Sequence, residues 1–174
     1  MKILIIFGTR PEAIKMAPVI KELERHFDTE VCVTAQHREM LDQVLKLFKI
    51  TPDIDLDIMS NNQSTIELLT KLAPLLKELI QNEKPDCVIA QGDTTTLFVT
   101  SMVSFYCKVP FFHVEAGLRT GNIKSPFPEE MHRIISDRLA TLNFAPTEYC
   151  KQALLRESIA ENTIHVTGNT VVDA

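Results

Sequence analysis

Short apolar runs recur along this chain, and each is followed by a longer stretch whose apolar residues repeat at helical spacing. The runs Ile3–Phe7, Glu30–Thr34, Cys87–Ala90, Phe111–Val114, Leu142–Ala145 and Thr163–Val166 predict strands. The stretches Ala13–Arg25, Glu39–Phe48, Ser64–Asn82, Leu97–Tyr106, Pro128–Leu139 and Glu148–Glu157 predict helices. Regular alternation of this kind predicts right-handed βαβ units, and so an α/β fold: a Rossmann-like parallel sheet with helices on both faces. Strands buried on both sides account for the near-continuous apolarity of Ile3–Ile6 and Val88–Ala90. Local signals agree. Pro11 opens the first helix without loss, because its missing N–H would have no intrahelical partner there, and Thr147 is placed to cap the Glu148 helix. The connection from Glu115 to Pro128 carries no apolar period, and one of that length in a compact domain is usually functional or mobile.

At 174 residues the chain has room for one medium domain, and 45% apolar with 24% charged residues is ordinary for a soluble globular protein. A net charge of −5, with no local Lys/Arg cluster to reverse it, argues against a nucleic-acid partner. No apolar run reaches spanning length and the N-terminal one is too short for a signal segment, so no membrane association and a cytoplasmic location are expected. Cys32, Cys87, Cys107 and Cys150 stand far apart, and the histidines lack ligand spacing; neither a disulfide nor a protein-built metal site is expected. Asp53–Asn62 is rich in aspartate and asparagine, but its spacing does not match an EF-hand loop.

Ligands of open α/β sheets collect beyond the carboxyl ends of the strands, which makes the polar residues there the candidates. The first strand hands over to a helix through Phe7-Gly8-Thr9-Arg10-Pro11-Glu12-Ala13-Ile14-Lys15. Such a turn aims backbone N–H groups and the helix's positive end at an anion, and Arg10 and Lys15 add cations suited to a phosphate or carboxylate. With Gly8 its only glycine, it is neither a dinucleotide fingerprint nor a P-loop. The second strand ends at Thr34, Gln36, His37 and Arg38, the Cys87 strand at Gln91-Gly92-Asp93, and the Phe111 strand at Glu115, Gly117, Leu118, Arg119 and Thr120.

Asp93 reads as a helix N-cap, the commoner role for aspartate in Gly-Asp-Thr, or as a carboxylate facing a ligand. Glu115 directly follows a buried strand, where it gains little for stability. Glu129 and Glu130 open a helix, where the dipole accounts for one acidic residue and the long loop brings another toward the crevice. Three carboxylates at one site predict acid–base chemistry, with at least one kept protonated by mutual repulsion. His113, inside a strand, reads as a satisfied core residue, and His37 as a better ligand-facing candidate. His132 and Arg133 face either the crevice or solvent.

Phe7-Gly8-Thr9-Arg10-Pro11-Glu12-Ala13-Ile14-Lys15-Met16-Ala17-Pro18 resembles the opening motif of the non-hydrolysing UDP-N-acetylglucosamine 2-epimerases. Thr34-Ala35-Gln36-His37-Arg38-Glu39-Met40-Leu41-Asp42, Gly92-Asp93-Thr94-Thr95-Thr96 and His113-Val114-Glu115-Ala116-Gly117-Leu118-Arg119-Thr120-Gly121 resemble later motifs of the same family. So do Ser125-Pro126-Phe127-Pro128-Glu129-Glu130 and Thr167-Gly168-Asn169-Thr170-Val171-Val172-Asp173-Ala174, so that the resemblance spans essentially the whole chain.

The resemblance implies one half of a glycosyltransferase-B-like two-domain protein that interconverts UDP-N-acetylglucosamine and UDP-N-acetylmannosamine for surface polysaccharides. The implied route is anti elimination of UDP to a 2-acetamidoglucal, then re-addition with inverted configuration at the sugar's second carbon, with no cofactor. Asp93, Glu115 and Glu129 match the family's catalytic carboxylates, and Arg10 and Lys15 match residues near the nucleotide-sugar. Gln36, His37 and Glu39 fall in the segment that contacts a second, activating UDP-N-acetylglucosamine; the Glu39 position is often glutamine in activated members, and that of His132 is often asparagine. The resemblance also implies a homodimer through this domain, and a further half that supplies most uridine and diphosphate contacts and a catalytic histidine. On this reading residues 1–167 are the N-terminal Rossmann-like domain, residues 168–174 begin the crossover to a second domain, and the chain alone is inactive. The alternatives are a non-catalytic interaction module and a hydrolysing 2-epimerase that releases N-acetylmannosamine and UDP.

Overall fold

The computed structural model describes residues 1–34, 38–58 and 63–174, the side chains of 38 and 39 excepted. Seven strands, β1 (Lys2–Phe7), β2 (Asp28–Val33), β3 (Ile54–Asp55), β4 (Cys87–Gln91), β5 (Phe111–Val114), β6 (Leu142–Ala145) and β7 (Ile164–Val166), form one sheet. Its order is β3-β2-β1-β4-β5-β6-β7 and every pair is parallel. Between them run α1 (Arg10–Leu23), α2 (Arg38–Phe48), α3 (Thr65–Glu83), α4 (Thr95–Cys107), α5 (Glu129–Leu139) and α6 (Glu148–Arg156). The expected Rossmann-like architecture is present.

Central strand β1 shows why the pattern folds this way. Its side chains alternate between the two faces, and both faces are buried. Ile3, Ile5 and Phe7 pack with Ala13, Met16 and Ile20 of α1 and with Leu41 and Leu45 of α2. Leu4 and Ile6 pack on the other side with Leu72 and Leu76 of α3 and Leu97, Val99 and Val103 of α4. A smaller cluster joins Ala145 and Ile164 to Cys150 and Leu154 of α6. As expected, Thr147 caps α6, its hydroxyl accepting the Cys150 N–H at 3.2 Å.

Two details differ from the sequence reading. Helix α1 begins at Arg10 rather than Ala13, because Thr9 is its N-cap and the Glu12 carboxylate reaches back to the Thr9 N–H at 2.7 Å. Strand β3 was not expected; it is two residues long, pairs with Cys32 and Val33, and lies at the start of the short alternating run Ile54-Asp55-Leu56-Asp57-Ile58, whose aspartates drew attention instead as possible ligands. The connection 115–128 holds neither helix nor strand, yet it is anchored. Glu130 accepts the N–H groups of Thr120 and Gly121 at 2.8 and 3.0 Å, and Asp137 accepts that of Gly117 at 3.1 Å. Among the described residues no helix is long and apolar enough to cross a membrane.

Candidate functional site

The strand order reverses between β1 and β4, and the loops leaving β1, β4 and β5 frame a recess of about 180 Å³ at that point. Thr9, Glu12 and Lys15 line it from α1 and its cap, Gln91, Gly92, Asp93 and Thr94 from the end of β4, Glu115 and Leu118 from the end of β5, and Arg133 from α5. Two of the three expected carboxylates therefore meet there. Each has its own cation: Lys15 Nζ lies 2.5 Å from Glu115 Oε2, and Arg133 Nη1 donates to Asp93 Oδ2 at 2.9 Å. These cations relieve the mutual repulsion that the sequence reading placed at the centre of the site.

Glu115 is also donated to by the Gln91 amide, and its other oxygen accepts from Asn169 at 3.1 Å. Its backbone sits at φ 69°, in the left-handed region, which costs a residue other than glycine about 1–3 kcal/mol and occurs most at functional sites. Asp93 is not the N-cap that Gly-Asp-Thr favoured. Thr94 takes that role, accepting the Leu97 N–H at 3.2 Å, which leaves the Asp93 carboxylate directed to Arg133.

Glu129 does not line the recess, although it is near enough to act on the charge of His132. Its Oε2 is buried with no hydrogen-bond partner, an uncommon state for a carboxylate oxygen. Glu130 is the structural member of that pair. It is fully buried, binds Thr120, Gly121 and Arg133, and is held below the usual glutamate range because those donors outweigh its burial. Arg10 is exposed at the start of α1 and is not part of the recess lining. Arg119, expected at the crevice, turns away to Asp137 at 2.8 Å and, through two nitrogens, to Glu157 at 2.7 Å each. Gln36, His37 and the Glu39 side chain lie outside the described residues.

Behind the recess is a buried clamp. His113 is fully buried, as expected, with Nε2 2.8 Å from the Gly92 carbonyl and Nδ1 2.5 Å from Asp137 Oδ1. The carbonyl can only accept, so Nε2 donates to it, and Nδ1 and the Asp137 carboxyl group share one hydrogen bond. Asp137 thus braces the Gly92–Asp93 turn through His113, and the loop after Glu115 through Gly117 and Arg119. His132 Nδ1 donates to the Asp93 carbonyl at 2.8 Å and its ring stacks on Phe98 at 5.0 Å. Burial pushes its pKa below the usual histidine value despite the nearby carboxylates, which favours the neutral ring.

Glu12 is a functional-region residue that the sequence reading passed over, although Thr9-x-x-Glu12 has capping-box spacing. It is buried, and it ties the β1 turn to the start of α4 by accepting from Gly8 and Thr9 N–H and from the Thr94 hydroxyl. Burial raises its pKa above 4.5 in the fold, more than the bonds from Thr94, Gly8 and Thr9 lower it. Between about 4.5 and the raised value the native state holds more protons than the unfolded chain, so this contribution is complete below that window and is lost as pH rises through it. Urea unfolding of the protein and of Glu12→Gln across this range is expected to show the wild type's advantage shrinking as pH rises. An advantage that grows with pH would mean that the fold favours the carboxylate.

A doubly wound parallel sheet with ion-paired carboxylates at its switch point defines a Rossmann-like protein built for polar ligand chemistry. The sequence model described as UDP-N-acetylglucosamine 2-epimerase matches residues 21–174, and the chain belongs to that family. It is 56% identical to the UDP-N-acetylglucosamine 2-epimerase of Salmonella typhimurium, over 100% of this chain and 47% of that protein. The UDP-GlcNAc 2-epimerase of Neisseria meningitidis, solved bound to UDP-GlcNAc, matches with a TM-score of 0.97 and 55% identity over 99% of this chain and 47% of that one. A lipopolysaccharide outer core galactosyltransferase matches at 17% identity with a TM-score of 0.66, over 97% of this chain and 46% of that one, which is a likeness of fold alone. The chain spans about half the length of the curated relatives it matches.

Proposed function

We propose that this chain is the N-terminal half of a non-hydrolysing UDP-N-acetylglucosamine 2-epimerase, with residues 1–167 as its first domain and residues 168–174 opening the crossover to a second. The observation that carries the reading is the pairing of Asp93 with Arg133 and of Glu115 with Lys15, from successive strand ends, in one recess. Removing a weakly acidic C–H proton requires a positioned base, and inverting the centre requires an acid on the opposite face; carboxylates from two separate loops suit that demand. The C1–O bond breaks with its electron pair leaving on the diphosphate. Lys15 and the N-termini of α1 and α4 suit that developing charge. Elimination and re-addition involve no net redox change. Arg10, exposed at the mouth of α1, is free to meet the nucleotide portion, and Glu129 with its unpartnered oxygen is the third candidate carboxylate.

The recess, at about 180 Å³, is smaller than the roughly 300–1,000 Å³ of pockets that hold drug-sized ligands. Most of a nucleotide-sugar would therefore bind outside it, which supports inactivity of this half alone. Self-association in a homodimer is supported by Phe105 and Tyr106, two large side chains exposed in the last turn of α4.

The test joins residues 1–174 to the C-terminal half of the Salmonella typhimurium relative and supplies UDP-N-acetylglucosamine in D2O. Intact UDP-N-acetylmannosamine carrying one deuterium at the sugar's second carbon is expected, with no product from the chain alone. Asp93→Asn and Glu115→Gln should each lower kcat by about 10²-fold or more. Accumulation of free N-acetylmannosamine and UDP would assign the hydrolysing reaction instead, and a folded but inactive chimera would overturn the reading.

A further inference from the structure

We propose that Asn169 is a positioning residue for Glu115, through which the segment after β7 sets the orientation of that carboxylate; this rests on the reading of Glu115 as a reacting group. Strand β7 ends at Val166, and the Thr167 N–H still reaches the Ala145 carbonyl at 3.0 Å. Gly168, at φ 81°, then turns the chain toward the carboxyl end of the sheet. A Cβ there would meet nothing within 4 Å, so the position calls for glycine's backbone freedom rather than for space.

The turn brings Asn169 to Glu115. The Asn169 Oδ1 accepts the Val171 N–H at 3.1 Å, capping a short 3-10 turn at Thr170–Asp173. That bond identifies the oxygen, so the amide NH2 is the end that meets Glu115 Oε1 at 3.1 Å. The opposite oxygen, Oε2, is already held by Lys15 and Gln91. The carboxylate is therefore gripped from three elements: α1, the end of β4 and the segment after β7. The 3-10 turn also packs on α1, the helix that carries Lys15. A displacement of this segment would act on both oxygens of Glu115, one through Asn169 and the other through Lys15.

Asn169→Asp separates the two bonds of this side chain. It keeps an acceptor for the Val171 N–H but presents a carboxylate to Glu115 in place of a donor. In the chimera, Asn169→Ala and Asn169→Asp are both expected to lower kcat by about 10- to 100-fold with KM little changed, the aspartate at least as severely. If Asn169 only caps the turn, Asn169→Asp will match the wild type, and the proposal fails. A second measurement needs no turnover. In the ¹⁵N-labelled chain, the Asn169 side-chain NH2 resonances should move in Glu115→Gln, with thermal unfolding monitored to confirm the fold. Stationary resonances would overturn the contact even in an active chimera, while a shift alongside an inactive chimera would place the failure with the epimerase reading.

Discussion

Gly117→Ala is expected to destabilise the protein by about 3–5 kcal/mol, lowering Tm by on the order of 10 °C. Two independent costs combine at this position. Gly117 has φ 88°, a conformation that alanine adopts only with strain. A Cβ built there would also lie 2.5 Å from the Cys150 carbonyl oxygen and 3.0 Å from Leu154 Cγ. The first of these atoms is backbone in the opening turn of α6, and it cannot rotate aside. The loop would have to lift from α6, stretching the bond from the Gly117 N–H to Asp137 and disturbing Glu115 two positions earlier. Gly121→Ala is the control. It has a similar φ of 78° but nothing within 4 Å of its Cβ, so only the backbone strain of about 1–2 kcal/mol remains. Calorimetry on both variants separates the costs, and equal losses would mean that the approach to α6 carries no energetic weight.

The fold was legible because its signals are local and repeated. Each buried strand is a short apolar run, each helix has a 3.6-residue period, and the order of the two types implies the parallel sheet. Strand β3 escaped although Ile54-Asp55-Leu56-Asp57-Ile58 alternates with a strand's period, because its aspartates drew the reading toward a metal loop. The recess was legible in part, since strand-end geometry points to Asp93, Glu115 and Lys15 without any knowledge of contacts. Residue types could not say which polar group pairs with which. Arg119 stood at a strand end and Arg133 faced either the crevice or solvent, but Asp137 and Glu157 draw the first away while Asp93 and Glu130 hold the second in. Asp93 looked like a cap because Gly-Asp-Thr offers two residues able to cap, but it is the hydroxyl of the next residue that accepts the Leu97 N–H, while the Asp93 carboxylate takes Arg133. Asp137 itself gave no sign, as an aspartate in the last turn of an amphipathic helix ordinarily belongs to the solvated face.

Asp137→Ala should show how much the site depends on that hidden residue, with an expected loss of about 3–5 kcal/mol. The substitution removes the acceptor for His113 Nδ1, for the Gly117 N–H and for Arg119 Nη1 at once. His113 and Asp137 are both fully buried, so water does not replace the missing oxygens without opening the core. Arg119 keeps Glu157, which is partly exposed, and Glu157→Ala should cost only about 1 kcal/mol or less. Asp137→Asn should fall between the two, because one oxygen is retained while an NH2 group faces a donor. Urea unfolding of the three variants orders these costs. The same substitution reaches the chemistry along two routes, through His113 to the Gly92 carbonyl beside Asp93, and through Gly117 to the loop of Glu115. In the chimera, Asp137→Asn is therefore expected to lower kcat at a temperature where the variant is fully folded. Glu157→Ala, which frees Nε and Nη2 of Arg119 but leaves Nη1 on Asp137, should leave kcat within about twofold. Equal catalytic losses in Asp137→Asn and Glu157→Ala would show that Asp137 supports the fold without setting the two carboxylates.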